Sequence, residues 1–427
     1  MNSLQDLILV GLPSNLEEFS MSEIDPGTCG HALLYKLQMA KSLLYKGEWN
    51  QCKSNCELLL DITWEHLNTG HWKDVHDTWR YIYSYTCLFK AVCEYAMDSG
   101  DLQSVVRACD MGLLMGAPVL DNILSKLATK LHKNSECHKV TSAAEHGNHR
   151  QLLQCEGGDL EEHPMKRHKG EERETDSSYP IISRDFEIKY ISCPSIEHFR
   201  QNYMDKATPV VLRDCISFWP AMSTRRWDLK YIRSIAGLRT VPVEIGARYT
   251  DDSWSQKLMS VDEFIKKYIE NPLKQEKGYL AQHPLFDQIP ELQDDIVIPT
   301  FCCIGQSEEV DINAWFGPQG TVSRLHQDPK HNFLAQIVGE KYIKLYSVDQ
   351  TQHVYPYTEG LLTNTSQVDV ENPDLKKFPK FSEAIPAECI LKPGEMLYIP
   401  VKCWHYVRSL SVSFSVSAFG GSKLQFH

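Results

Sequence analysis

His326-Gln327-Asp328 and, further along, His405 are the residues whose types and spacing best suit chemistry. Read as a strand, positions two apart share a face, so an imidazole and a carboxylate would converge on one point. His405 lies in Trp404-His405-Tyr406, just after a strand candidate at Met396-Leu397-Tyr398-Ile399. Two histidines and one carboxylate on a β scaffold form a set that holds non-haem Fe(II) and leaves positions open for an oxidant and a second reactant. A plainer reading stands beside it: a hydrogen-bonded structural His326, and Asp328 as a turn cap before Pro329. Lys341 adds a second signal. If Phe333–Val338 and Lys341–Ser347 form a hairpin about Gly339-Glu340, Lys341 shares its face with Ile343 and Leu345. An ammonium group would then point inward, where charge is costly unless paired. No acidic residue stands at an obvious cross-strand position, so an anionic ligand inside the barrel would meet the need. The alternative is a lysine beside the turn that snorkels to solvent.

The elements that must hold these groups follow from pattern and punctuation. Pro209–Leu212 and Thr240–Glu244 are further strand candidates, and Lys392-Pro393-Gly394 punctuates before Met396. Val412, Phe414 and Val416 alternate with Ser411, Ser413, Ser415 and Ser417, the period of a half-buried strand. Many short strands of this kind suggest an antiparallel sandwich or barrel. Upstream, residues 30–133 carry apolar positions at helical spacing. Three similar breaks, at Gly47-Glu48-Trp49, Gly70-His71-Trp72 and Gly100-Asp101-Leu102, fit either a degenerate tetratricopeptide-like series or an irregular bundle. Residues 134–178 are polar, charged and without periodicity, the texture of a disordered linker. Within them Lys166-Arg167-His168-Lys169 reads as a weak nuclear-import match or a solvated charge run. The expected domains are thus 1–133 helical, 134–178 linker and 179–427 catalytic.

Composition sets outer limits. The chain has 427 residues, 42% apolar and 23% charged, which favours two domains over one core. A formal charge of −12 argues against a chain-wide surface for nucleic acid or anionic membrane. No run approaches the length of a membrane helix. The first residues lack the basic flank of a signal peptide. The 14 cysteines are scattered, with no Cys-x-x-Cys pair, so neither a disulfide framework nor a structural zinc site is expected. A nuclear or cytoplasmic protein, not a secreted one, is the expectation.

Several runs in combination carry a family likeness: Asn313-Ala314-Trp315-Phe316-Gly317-Pro318, His326-Gln327-Asp328-Pro329, Asn332-Phe333-Leu334, Gly339-Glu340-Lys341-Tyr342, Pro393-Gly394-Glu395, and Ile399-Pro400 before Trp404-His405. Over roughly 180–417 the chain resembles the Jumonji C (JmjC) oxygenases. The resemblance implies an α+β protein: an N-terminal all-α helical domain, then a double-stranded β-helix, the jelly-roll or cupin-like JmjC domain. It implies Fe(II) held by His326, Asp328 and His405. It implies 2-oxoglutarate with its far carboxylate on Lys341, supported by Tyr279 and Ser323, and with Asn332 near its metal-bound end. Molecular oxygen would be the co-reactant. Glu244, Trp254 and Trp315 match an arginine pocket, since a carboxylate grips a guanidinium and indole faces suit its flat cation. The implied reaction is C-3 hydroxylation of an arginyl side chain in a protein substrate, with further partners recruited through the helical domain. Methyl-lysine demethylation, zinc in place of iron, and a binding protein with an impaired barrel are the rivals. The last arises because Phe419 stands where the family pattern has tryptophan, within a divergent tail at 418–427.

Overall fold

The computed structural model describes residues 11–97, 101–147, 179–246, 254–272, 276–304 and 310–420. The first part is helical: α1 (His31–Lys46), α2 (Trp49–Leu67), α3 (Asp77–Ala96), α4 (Leu102–Met115) and α5 (Ile123–Gly147). The expected breaks end or begin these helices. Gly47 takes a left-handed conformation, φ 74°, and donates its N–H to the Leu43 and Leu44 carbonyls, closing α1. Asp101 caps α4 through the Gln103 N–H. Gly70 also has positive φ, and Gly100 lies outside the described residues. Leu37, Leu44, Leu59, Ile82, Leu88, Phe89, Val106 and Leu127 form one buried core between the helices. The expected boundary at 133 falls inside α5, which continues to Gly147. Its later turns are polar and lack an apolar stripe, so periodicity gave no sign of them. The basic cluster at 166–169 lies outside the described residues.

The second part is built of β1 (Tyr190–Ser192), β2 (Val210–Arg213), β3 (Thr240–Ile245), β4 (Ser255–Ser260), β5 (Gly278–His283), β6 (Asp311–Gly317), β7 (Val322–His326), β8 (His331–Val338), β9 (Lys341–Tyr346), β10 (Ala387–Leu391), β11 (Met396–Ile399), β12 (Trp404–Ser409) and β13 (Ser413–Gly420). A nine-stranded sheet runs β1-β2-β11-β8-β13-β6-β5-β3-β4 and faces a four-stranded sheet, β10-β9-β12-β7. The last eight strands are nested. Antiparallel pairs join β6 to β13, β7 to β12, β8 to β11 and β9 to β10. That is the winding of a jelly roll, and the α+β expectation holds.

Two local expectations need correction. The strands either side of Gly339-Glu340 do not pair as a hairpin. β8 lies between β11 and β13, whereas β9 lies between β10 and β12 in the opposite sheet. The turn therefore carries the chain from one sheet to the other. Gly339 has φ +71°, and a Cβ there would stand 2.0 Å from the Val412 carbonyl oxygen, so only glycine fits this corner. The alternation at 413–417 does not separate core from solvent either, because β13 is buried on both faces. Phe414, Val416 and Ala418 join the outer core, with Trp227 packed at a tilt against Phe414. The serines face other polar groups in the interior. Ser415 donates to Gln336, and Ser417 accepts from the Trp315 indole.

The two parts meet at a buried polar contact. Asp110 on α4 and Arg239, just before β3, are essentially inaccessible and lie 2.7 Å apart. Breaking so buried a pair by removing one partner costs about 3–5 kcal/mol.

Candidate metal and cosubstrate site

Nested pairing brings the three candidate ligands together. His326 ends β7 and stands directly opposite His405, the second residue of β12. Asp328 is not in a strand, as its spacing from His326 suggested. It lies two residues past the end of β7, where Gln327 N–H bonds to the Asn364 carbonyl and bends the chain inward. The ligand atoms of His326, Asp328 and His405 all lie within 4.8 Å of one another. His405 Nε2 is 3.4 Å from an Asp328 oxygen.

Both rings are set for ligation by their own backbone. His326 Nδ1 is 2.6 Å from the Arg324 carbonyl, and His405 Nδ1 is 3.0 Å from that of Cys403. A carbonyl only accepts, so each Nδ1 carries a proton and Nε2 is the ring atom left to meet a metal. Burial and the neighbouring His405 push the His326 pKa down to about 4, which keeps that ring neutral. At His405 burial acts in the same direction, but the Asp328 hydrogen bond and charge outweigh it and hold the pKa above its ordinary value. Burial would raise the Asp328 pKa, yet the His405 hydrogen bond and the charges of both histidines keep it low. A deprotonated carboxylate beside two imidazole lone pairs is a donor set for a divalent transition metal.

Lys341 opens the neighbouring half of the pocket. It is 1% exposed, so the inward reading is correct and the snorkelling one is not. Its Nζ donates to the Tyr279 hydroxyl at 3.3 Å, and among the described residues it forms no ion pair. Burial lowers its pKa to about 7. Tyr279 also hydrogen-bonds Ser323. Gly317 makes room for the Tyr279 ring, where a Cβ would come within 2.8 Å. Asn332 bonds Asp328 through its side chain, and its buried Oδ1 has no partner. A buried ammonium with no ion-pair partner among the described residues is the mark of a missing anionic ligand. Tyr279, Ser323, Asn332, Lys341 and the triad line that pocket together. The residues present therefore fit both a metal and a small dianion.

The candidate substrate residues are less tightly gathered. Trp315 lines the pocket, its ring centroid 6.1 Å from that of Tyr279. Glu244 is directly opposite Tyr279 across the β3–β5 ladder, so the two side chains share a face. Burial raises the Glu244 pKa, and a hydrogen bond from Trp254 opposes that shift. Trp254 itself is 37% exposed. Phe419 is buried, stands opposite Asn332 in the β13–β8 register and lines the pocket wall. The residues after 420 lie outside the described structure. Sequence reading missed Gln282, which lines both this pocket and an outer cleft of about 690 Å³. That volume lies within the range of clefts that bury a ligand. Gln282 sits at a bulge with φ 46°, and nothing in its sequence neighbourhood announces this.

The nested barrel with this triad matches a family described as a cupin-like domain over residues 196–419. Residues 44–146 match a second family, described as KDM8-like, N-terminal ARM repeats, so the helices are ARM-like rather than tetratricopeptide-like. Lysine-specific demethylase 8 of Xenopus tropicalis is 44% identical over 97% of this chain and 98% of its own. Lysine-specific demethylase JMJ30 of Arabidopsis thaliana is 41% identical over 86% of this chain and 85% of its own. Jumonji C domain-containing protein 5 of Drosophila melanogaster is 35% identical over 84% of each chain. The chain is thus a JmjC protein of the 2-oxoglutarate oxygenase class. Within that class it belongs to the family of lysine-specific demethylase 8 and Jumonji C domain-containing protein 5. No helix among the described residues is long and apolar enough to cross a membrane.

Proposed function

We propose that this chain is a protein hydroxylase that acts on arginyl side chains at C-3, with His326, Asp328 and His405 holding Fe(II) and Lys341 holding 2-oxoglutarate. The observation that carries the oxygenase part is a buried lysine with no anionic partner among the described residues, beside a triad whose ligand atoms lie within 4.8 Å of one another. Bound Fe(II) and 2-oxoglutarate would supply the oxidant that inserts one oxygen atom of O₂ into a C–H bond, with succinate and CO₂ as co-products. The chain's own part is positional. Lys341 and Tyr279 orient the distal carboxylate, Asn332 holds Asp328 in place beside the triad, and the apolar walls of Leu334, Ile399 and Val407 exclude water. Glu244 supports the arginyl reading, because a partly buried carboxylate on the Tyr279 face suits a guanidinium.

The printed names of the relatives favour a second reading, demethylation of a methylated lysine. Both begin with hydroxylation of a C–H bond, and they diverge in product. An unmodified arginine peptide should gain the mass of one oxygen atom, measured by mass spectrometry with Fe(II), ascorbate and 2-oxoglutarate. Formaldehyde from a methyl-lysine peptide, without that gain on arginine, reverses the order of the two readings. The impaired-barrel reading is left with little support, since Phe419 fills its place in the wall and β13 completes the sheet. The cytosol or nucleus remains our proposed location.

The Lys341 pKa gives a pH prediction. Free Lys341 loses its proton near pH 7, and a bound carboxylate raises its pKa again. Binding above pH 7 must therefore take up a proton. Affinity for 2-oxoglutarate should be full below pH 7 and fall about tenfold per unit above it. Calorimetric titration of the Mn(II)-loaded protein on both sides of pH 7 measures this slope. A flat profile contradicts the assigned role.

A further inference from the structure

We infer that Asp110, on the helical repeats, is a positioning residue for the cosubstrate pocket in the β domain. The inference rests on the 2-oxoglutarate reading of that pocket. One carboxylate on α4 gathers two separate segments of the β domain, Arg239-Thr240 and Gln288. Its Oδ1 accepts from Arg239 Nε and Nη2 at 2.9 and 2.7 Å, and from Gln288 Nε2 at 2.8 Å. Its Oδ2 accepts from the Thr240 N–H at 2.6 Å. Gln288 also donates to the Thr240 carbonyl, and its Oε1 lies 2.8 Å from His283 Nε2.

The place where these bonds fall gives them meaning. Thr240 begins β3 and His283 ends β5. The two strands pair through only Ile245↔Gly278 and Glu244↔Tyr279. Continued in that register, the ladder would bring Thr240 opposite His283. Instead the strands part, and Gln288 bridges the gap with Asp110 behind it. At the same end β5 loses register between Leu280 and His283, which turns Gln282 toward the pocket. A domain-docking contact of no functional consequence could fall anywhere on the interface. This one closes the open end of the two strands that carry Glu244, Tyr279 and Gln282. Every side chain in it is buried, and both Asp110 oxygens and both ends of the Gln288 amide are paired, which fixes one geometry. The helical repeats thus determine where Tyr279 meets Lys341.

The metal ligands, on β7, β12 and the turn after β7, lie outside this network, and that separation makes the test. Full-length Asp110→Asn and Gln288→Leu proteins, loaded with Mn(II), are titrated with 2-oxoglutarate by calorimetry. Amide exchange is followed in 240–245 and 278–283. Asparagine would place an N–H donor against other donors, whereas Gln288→Leu cuts the bridge to His283 and leaves the Arg239–Asp110 pair in place. Expected in both is a 2-oxoglutarate Kd raised about tenfold, faster exchange in those two strands, and unchanged Mn(II) affinity. Folded variants with parental 2-oxoglutarate affinity overturn the inference. So does a parallel loss of Mn(II) binding, which marks general loosening. Where Asp110→Asn does not fold, Gln288→Leu decides alone. A parent protein that binds no 2-oxoglutarate overturns the pocket reading itself, while parental binding that both variants keep overturns only the role of Asp110.

Discussion

Lys341→Ala protein should bind 2-oxoglutarate about 100-fold more weakly than its parent while its metal affinity stays the same. Truncating one side of a buried, hydrogen-bonded charge pair costs about 2–5 kcal/mol, because the remaining charge is left desolvated and alone. Lys341 is the buried cation in the pocket, and its one hydrogen bond is to the neutral Tyr279 hydroxyl. Among the described residues no other lysine or arginine lines the pocket to substitute for it. The two halves of the measurement separate a lost anion site from a collapsed barrel. Calorimetry with Mn(II) and then with 2-oxoglutarate reads them in turn, and unchanged cosubstrate affinity would refute the assignment. The pH slope described above should vanish in the same variant, since no titrating ammonium remains.

His326→Ala should abolish turnover and weaken metal binding by more than the roughly 10- to 100-fold that outer-sphere contacts are worth. The substitution removes one of three ligand atoms and also the ring that lies 4.0 Å, centroid to centroid, from His405. The pKa balance of the site should shift with it. The His326 charge helps hold the Asp328 pKa low, though less than His405 does. Succinate release with a peptide substrate measures turnover, and equilibrium dialysis measures metal affinity. Parental turnover in this variant would remove His326 from the ligand set. Zinc analysis of anaerobically prepared protein, set beside iron reconstitution, tests the alternative metal.

How much of this could be read from residues alone differs from place to place. The inward direction of Lys341 was legible because strand periodicity depends only on the strand itself. The partner of that strand was not legible. A glycine turn says that the chain reverses, and says nothing about which sheet receives it. The serines of β13 misled for a related reason: an apolar and polar alternation marks two faces, and here the polar face looks into a barrel rather than into water. Asp328 was found by its type, although the strand argument for its direction does not hold, because the turn after β7 aims it. Asp110 gave no signal. A lone acid within an apolar helix becomes informative only when Arg239 and Gln288, more than a hundred positions away, arrive beside it.

The nested order of strands also governs when a metal ion can first be gripped. His326 and His405 belong to the second and seventh of eight strands, so their meeting closes one of the longest loops in the domain. Closing such loops is slow and comes late in assembly. During synthesis, a ribosome that has released His326 still has most of the closing strands to deliver. A complete ligand set is therefore a property of the finished barrel, and truncation anywhere before β12 should leave a polypeptide that cannot hold a metal however well its helices have formed.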